Sequence, residues 1–119
     1  MRKLYVAATE ACRSAFECER EVIGFDNANF TEVSIAVMTA EEAKAGKLER
    51  VESTAFGIPI VILNECGEVD PTLIGRADSI IDCKADDAKL YGRQIDTLAL
   101  KYEKKVLPPF FGSLEEYVG

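Results

Sequence analysis

The chain has 119 residues, the size of one domain, and 48% hydrophobic with 29% charged residues gives it enough apolar material for a core of its own. Its net charge of -7 excludes the dominant basic surface of a nucleic-acid binder, and no apolar run approaches the roughly 20 residues that span a bilayer. Histidine is absent, which removes every His-dependent nucleophile, general base and metal ligand. The start of the chain turns polar too soon for a signal peptide, so a cytoplasmic location is expected.

In chain order, residues 3–8 form the first short apolar run and read as a strand. Thr9 then caps a helix that turns Ala11, Cys12, Ala15 and Phe16 inward and pairs Glu10, Arg13 and Glu17 outward. Residues 21–25 and 33–38 are the second and third strands. A helix is expected over 41–56, with Leu48, Val51 and Ala55 on one stripe, Gly46 weakening its first half and Gly57 ending it.

Residues 58–63, Ile-Pro-Ile-Val-Ile-Leu, are apolar at successive positions, as in a central parallel strand covered on both faces. Pro59 lacks a ladder donor and belongs at the start of that strand. Over 69–77 a short helix has Asp70 as its cap and Pro71 in its first turn, and residues 79–83 give a fifth strand. The strongest helix begins at Asp86. Along it Ala88, Tyr91, Ile95, Leu98, Ala99, Tyr102 and Val106 trace one face against Lys89, Arg93, Asp96 and Lys104, and Gly92 does not break the periodicity.

Strands alternating with helices imply right-handed crossovers and a parallel sheet, here a three-layer, flavodoxin-like (CheY-like) α/β domain of order 2-1-3-4-5. The domain is expected to occupy residues 1–107. Residues 108–119 form an apolar tail that Pro108 and Pro109 separate from the long helix, and its Phe110, Phe111, Leu114, Tyr117 and Val118 have no further strand to cover.

Open α/β sheets bind ligands beyond the carboxyl ends of their strands, and the loops there carry no recognisable chemistry. Ala8-Thr9-Glu10-Ala11-Cys12 has no glycine that would let backbone amides approach a phosphate. A receiver domain would need an acidic pair after the first strand and an aspartate ending the third, where this chain has Thr9-Glu10 and Met38-Thr39-Ala40. Lys84 stands near the place of the receiver lysine and alone carries little.

Cys12, Cys18, Cys66 and Cys83 form no CxxC pair, which argues against a metal site, and read as reduced thiols, mostly small buried hydrophobes. A thiol enzyme using Cys12 or Cys66 would lack a visible base. The pairs Glu41-Glu42, Asp86-Asp87 and Glu115-Glu116 precede or start expected helices, where the helix dipole favours acids, and Lys101, Lys104 and Lys105 suit a helix end for the same reason. No catalytic, cofactor-binding or metal-ligating residue is expected.

The stretch Phe56-Gly57-Ile58-Pro59-Ile60, the run Ser79-Ile80-Ile81-Asp82, the long helix and above all Leu107-Pro108-Pro109-Phe110-Phe111-Gly112-Ser113-Leu114-Glu115-Glu116-Tyr117-Val118 resemble the N-terminal wing domain of the bacterial PLP-dependent ornithine/lysine/arginine decarboxylases. The resemblance covers essentially the whole chain and is weakest over 39–54. The double Phe after the prolines looks most like the ornithine enzymes, which convert ornithine to putrescine and CO2.

The resemblance implies a non-catalytic assembly and regulatory domain that precedes a PLP-binding core. Its partners would be that core and neighbouring subunits of a homo-oligomer, with PLP held by the core alone. The family's cofactor lysine lies in a Ser-x-His-Lys motif, which a chain without histidine lacks. Some members bind regulatory nucleotides near subunit interfaces, and no phosphate motif here places such a site. Pro108, Pro109, Phe110, Phe111, Leu114 and Tyr117 are then expected to be covered by the core or a neighbouring subunit. The alternative is a stand-alone receiver-like binding module related in fold only.

Overall fold

Among the described residues five strands, β1 (Tyr5–Ala8), β2 (Val22–Gly24), β3 (Val33–Thr39), β4 (Ile60–Asn64) and β5 (Ser79–Asp82), form one parallel sheet of order β2-β1-β3-β4-β5, as the alternation of runs predicts. The computed structural model describes residues 4–54, 56–64, 67–82 and 88–106. Expectations for Lys3, Ala55, Cys66, residues 83–87 and the tail from Leu107 onward therefore lie outside the described residues.

The sheet's register explains the apolar runs. Every residue of β3 and β4 is buried, and alternate side chains feed two separate cores. Ala7, Ala36, Met38, Ile60 and Ile62 point into one, and Val6, Ala8, Ile35, Val37, Val61 and Leu63 into the other. Pro59 stands just ahead of β4, where its carbonyl accepts from the Ala36 amide at 3.0 Å and no ladder donor is missed. β2 and β5 are the edges.

The longest helix, α4 (Ala88–Val106), buries Tyr91, Ile95, Ala99 and Tyr102 and half-buries Ala88, Leu98 and Val106, as the periodicity predicts. Asp96 departs from the expected solvent face. It is part-buried because Arg20, from the segment before β2, reaches across to it at 2.9 Å.

Between β1 and β2 the expected helix is replaced by a run of turns over 10–15. Cys12 and Arg13 amides both return to the Thr9 carbonyl, making one turn, and Glu10 pairs with Arg13 at 3.9 Å as expected. Cys12 and Phe16 are buried, but Ala15 is only half-buried and Ala11 is exposed. The helix does not propagate because Glu17 is captured elsewhere: its amide donates to the Ala88 carbonyl at 3.0 Å, at the start of α4.

β2 ends at Gly24, one residue before the expected boundary, and Phe25 opens a 3-10 turn (Phe25–Asn27) that a second one (Phe30–Glu32) follows. These short turns take the place of a crossover helix. They bury Phe25 and Phe30 edge to face, with ring centroids 5.3 Å apart.

The helix expected over 41–56 runs instead from Ala40 to Glu52 in three pieces: α1 (Ala40–Glu42), a widened π-type stretch (Ala43–Lys47) and α2 (Leu48–Glu52). Gly46 adopts φ 118° inside the widened stretch, a conformation that favours glycine, so the weakening expected there is a kink. Leu48 and Val51 are buried as expected. The helix stops before Gly57 because the Ser53 and Thr54 hydroxyls turn back to the Arg50 and Val51 carbonyls, at 2.9 and 2.7 Å.

The short helix α3 (Pro71–Ile74) has Pro71 in its first turn and Asp70 as its cap, both as predicted. Hydrogen bonds from the Thr72 amide and hydroxyl, then Lys44, hold the Asp70 carboxyl down at about 2. A depressed carboxylate stabilises the fold above its unfolded pKa, and that contribution disappears as pH falls from about 4 towards about 2. Asp70→Asn keeps a capping oxygen but cannot titrate. Acid unfolding followed by circular dichroism should therefore lose part of its slope in that window.

Candidate functional site

In a sheet of this order the chain turns one way after β1 and the other way after β3, so the ligand crevice of such folds opens between their carboxyl ends. The residues there are Thr9 and Thr39, both buried. One oxygen of Glu42 gathers them. It accepts from the Thr9 hydroxyl, from the Thr39 amide at 3.1 Å and from the Thr39 hydroxyl at 3.0 Å. The Glu42 amide donates to the Thr39 hydroxyl oxygen at 3.2 Å, which completes a capping box on α1.

The crevice is thereby tied shut by its own side chains. Glu42, one of the paired acids, does the helix-start work expected of it, while Glu41 is exposed in the same first turn. Glu10, the other acid near the switch point, faces solvent beside Arg13. Further along the same end, the Asn64 amide nitrogen donates to the Gly67 carbonyl at 3.2 Å. Glu42→Ala should cost about 2 kcal/mol in urea unfolding, since it removes the N3 side-chain half of the capping box, leaving the Thr39 amide without that acceptor, and leaves the buried Thr9 hydroxyl without its acceptor.

At the opposite end, Arg20 binds Glu103 through two nitrogens, at 2.8 and 3.0 Å, and Asp96 through a third at 2.9 Å. The bonds to Glu103 come first among the causes that raise the Arg20 pKa, so the guanidinium stays charged. The second oxygen of Asp96 accepts from the Glu19 amide at 3.0 Å. This network latches the β1–β2 segment to α4, and each carboxylate is used up in doing so. It carries no reaction.

The described thiols are not activated. Cys12 is fully buried. Burial and then the Asp96 charge push the Cys18 thiol upward, away from the thiolate a nucleophile needs. Among the described residues no cluster of three His, Cys, Asp or Glu side chains could hold a metal ion, and no helix is long and apolar enough to cross a membrane. An open groove of about 340 Å³ runs between β5 and α4, lined by Asp78, Ser79, Arg93, Gln94, Thr97 and Leu98. Asp78 spends one oxygen there on the Ile60 amide at 2.7 Å.

The site residues expected from the sequence, Pro108, Pro109, Phe110, Phe111, Leu114 and Tyr117, lie outside the described residues, as do Cys66, Cys83, Lys84 and the pairs Asp86-Asp87 and Glu115-Glu116. Lys101, Lys104 and Lys105 are exposed at the end of α4, the place the dipole argument gives them. The capping role of Thr39 was missed, although Thr39-Ala40-Glu41-Glu42 carries the capping-box spacing in plain view.

The chain matches the family described as "Orn/Lys/Arg decarboxylase, N-terminal domain" over residues 4–102. It is 35% identical over 119 residues to an ornithine decarboxylase of Haemophilus influenzae (strain ATCC 51907 / DSM 11121 / KW20 / Rd) and 32% identical over 119 residues to an inducible ornithine decarboxylase of Escherichia coli (strain K12). An inducible ornithine decarboxylase of Lactobacillus sp. (strain 30a) is 31% identical over 117 residues. These alignments take in 99%, 99% and 97% of this chain, which spans only 16% of the length of each relative. With its parallel sheet of order 2-1-3-4-5 and that match over residues 4–102, the chain belongs to the Orn/Lys/Arg decarboxylase N-terminal domain family.

Proposed function

We propose that this chain is the non-catalytic assembly and regulatory domain of a PLP-dependent ornithine decarboxylase, which in its full length converts ornithine to putrescine and CO2 in the cytoplasm. The observation that carries the reading is the near-complete coverage of this chain by relatives named ornithine decarboxylase, of which it spans 16%. The reacting part of such a parent would then lie in the remaining length.

The residues of the domain do not fit PLP. Its aldehyde needs a lysine held in a pocket, yet no lysine among the described residues is buried, and the whole sequence has no histidine for the family's Ser-x-His-Lys motif. The tied crevice at Thr9, Thr39 and Glu42 supports a structural role for the sheet's carboxyl end. Pro108, Pro109, Phe110, Phe111, Leu114 and Tyr117 form, in this reading, the joint to the PLP-binding core and are covered by it or by a neighbouring subunit of the homo-oligomer.

The test is decarboxylation of ornithine, lysine and arginine by the full-length parent with added PLP, beside residues 1–119 alone. The parent should prefer ornithine and the 119-residue chain should release no CO2. A parent silent on all three amino acids, or activity in residues 1–119, would overturn the reading.

A further inference from the structure

We propose that the outer face of α4, together with Glu17 and Glu19 beside it, is a self-complementary contact for a second copy of this chain. This rests on the reading of the chain as an assembly domain of a homo-oligomer. α4 carries five cations, Lys89, Arg93, Lys101, Lys104 and Lys105, and every one is exposed. Its two acids, Asp96 and Glu103, are part-buried and turned to Arg20. The fully exposed charges of the helix are therefore all positive, on a chain whose net charge is -7, and Leu100 stands 45% exposed among them.

An acidic stripe runs alongside. The Glu17 amide is held by the Ala88 carbonyl and the Glu19 amide by the Asp96 carboxylate, each at 3.0 Å, so this segment follows the helix in the same direction. Glu17 and Glu19 are exposed, whereas Arg20, the cation that follows them, is spent on Asp96 and Glu103. Neighbouring stripes of opposite sign match themselves under a twofold axis parallel to the helix. Each α4 then lies over the other copy's Glu17 and Glu19, with Arg93 close to their level. Packing α4 directly on α4 would instead set cations on cations. The area suffices: 19 helical residues span about 28 Å, and helix plus adjoining segment are about 20 Å wide, so both copies together bury about 1,100 Å², above the roughly 1,000 Å² of a specific contact.

The experiment places a photo-crosslinking side chain in the full natural protein, as Leu100→p-benzoylphenylalanine. The products are mapped by mass spectrometry on a mixture of isotopically light and heavy protein, so that links between copies are told from links within one. Position 100 should crosslink to the peptide carrying Glu17 and Glu19 of a second copy. Glu17→Lys with Glu19→Lys should lower that yield at least fivefold, and adding Lys89→Glu with Arg93→Glu should restore it to within twofold. All four residues are exposed, so these variants are expected to fold. Links only within one chain, or only to later parts of the chain, would overturn the contact, as would a yield indifferent to the first pair or not restored by the second. Decarboxylation by the same samples reports separately on the proposed function: an active enzyme without the link between copies sinks the contact alone, and an inactive parent sinks the functional reading whatever the crosslink shows.

Discussion

Gly92→Ala should destabilise the domain by about 3–5 kcal/mol, at the upper end of what single substitutions do. Helix propensity argues the other way, since alanine inside a helix is favoured over glycine by about 1 kcal/mol. The close approach of α4 to the β1–β2 segment decides the sign. A Cβ on Gly92 would sit far inside the Glu17 carbonyl oxygen, 2.5 Å from the Glu17 carbonyl carbon and 3.1 Å from the Cys18 nitrogen. These are backbone atoms of a segment held by the Glu17 to Ala88 hydrogen bond and by the Arg20 latch, so they cannot move aside as a flexible side chain would. Gly75→Ala is the control: nothing lies within 4 Å of its Cβ position, and its φ of -84° suits any residue. Urea denaturation of the two variants should show a large fall in midpoint for the first and almost none for the second. Equal midpoints would mean that α4 and the β1–β2 segment lie farther apart than described.

Phe25→Ala should cost about 3–5 kcal/mol. The ring is 1% exposed in the connection from β2 to β3, where two short 3-10 turns stand in for a helix and offer few apolar side chains. Phe25 also meets Phe30 edge to face, and the Lys47 ammonium and Arg50 guanidinium lie 5.4 Å from its ring centre. Removing it leaves a cavity, takes the edge-to-face partner from Phe30 and takes the ring from the Lys47 ammonium, while the Arg50 guanidinium keeps the Phe30 ring at 5.4 Å. Phe25→Leu keeps most of the volume and should recover more than half of the loss in thermal unfolding. If alanine were tolerated within 1 kcal/mol, the 3-10 turns would have to repack over the gap, which the rigid flanking strands β2 and β3 oppose.

The strands were legible because each apolar run is bounded by turn residues and the central ones are buried on both faces, so no alternative period competes. β4 and α4 carried the clearest patterns and fell nearly where expected. The misreadings share a cause, which is that the deciding partner is distant in sequence. Spacing over 9–16 fits a helix, but Glu17 is held by Ala88 and the segment stops after one turn. Asp96 fits a solvent face until Arg20, 76 residues away, draws it in. The end of the Ala40–Glu52 helix was missed for a local reason: the back-bonding hydroxyls of Ser53 and Thr54 end it before Gly57. The closed crevice was half legible, since Thr39 and Glu42 show the capping-box spacing while the Thr9 bond spans 33 residues.

Both edges of the sheet are short. β2 has three residues and passes at once into a 3-10 turn, and β5 has four, flanked by Asp78 and ending in Asp82. A β-rich core of Val and Ile would otherwise be a template for sideways strand addition, the route to fibrils. With so little ladder to copy and carboxylates beside one edge, concentrated protein should stay free of thioflavin-positive aggregates, and whatever contacts the domain makes are left to its helices and loops.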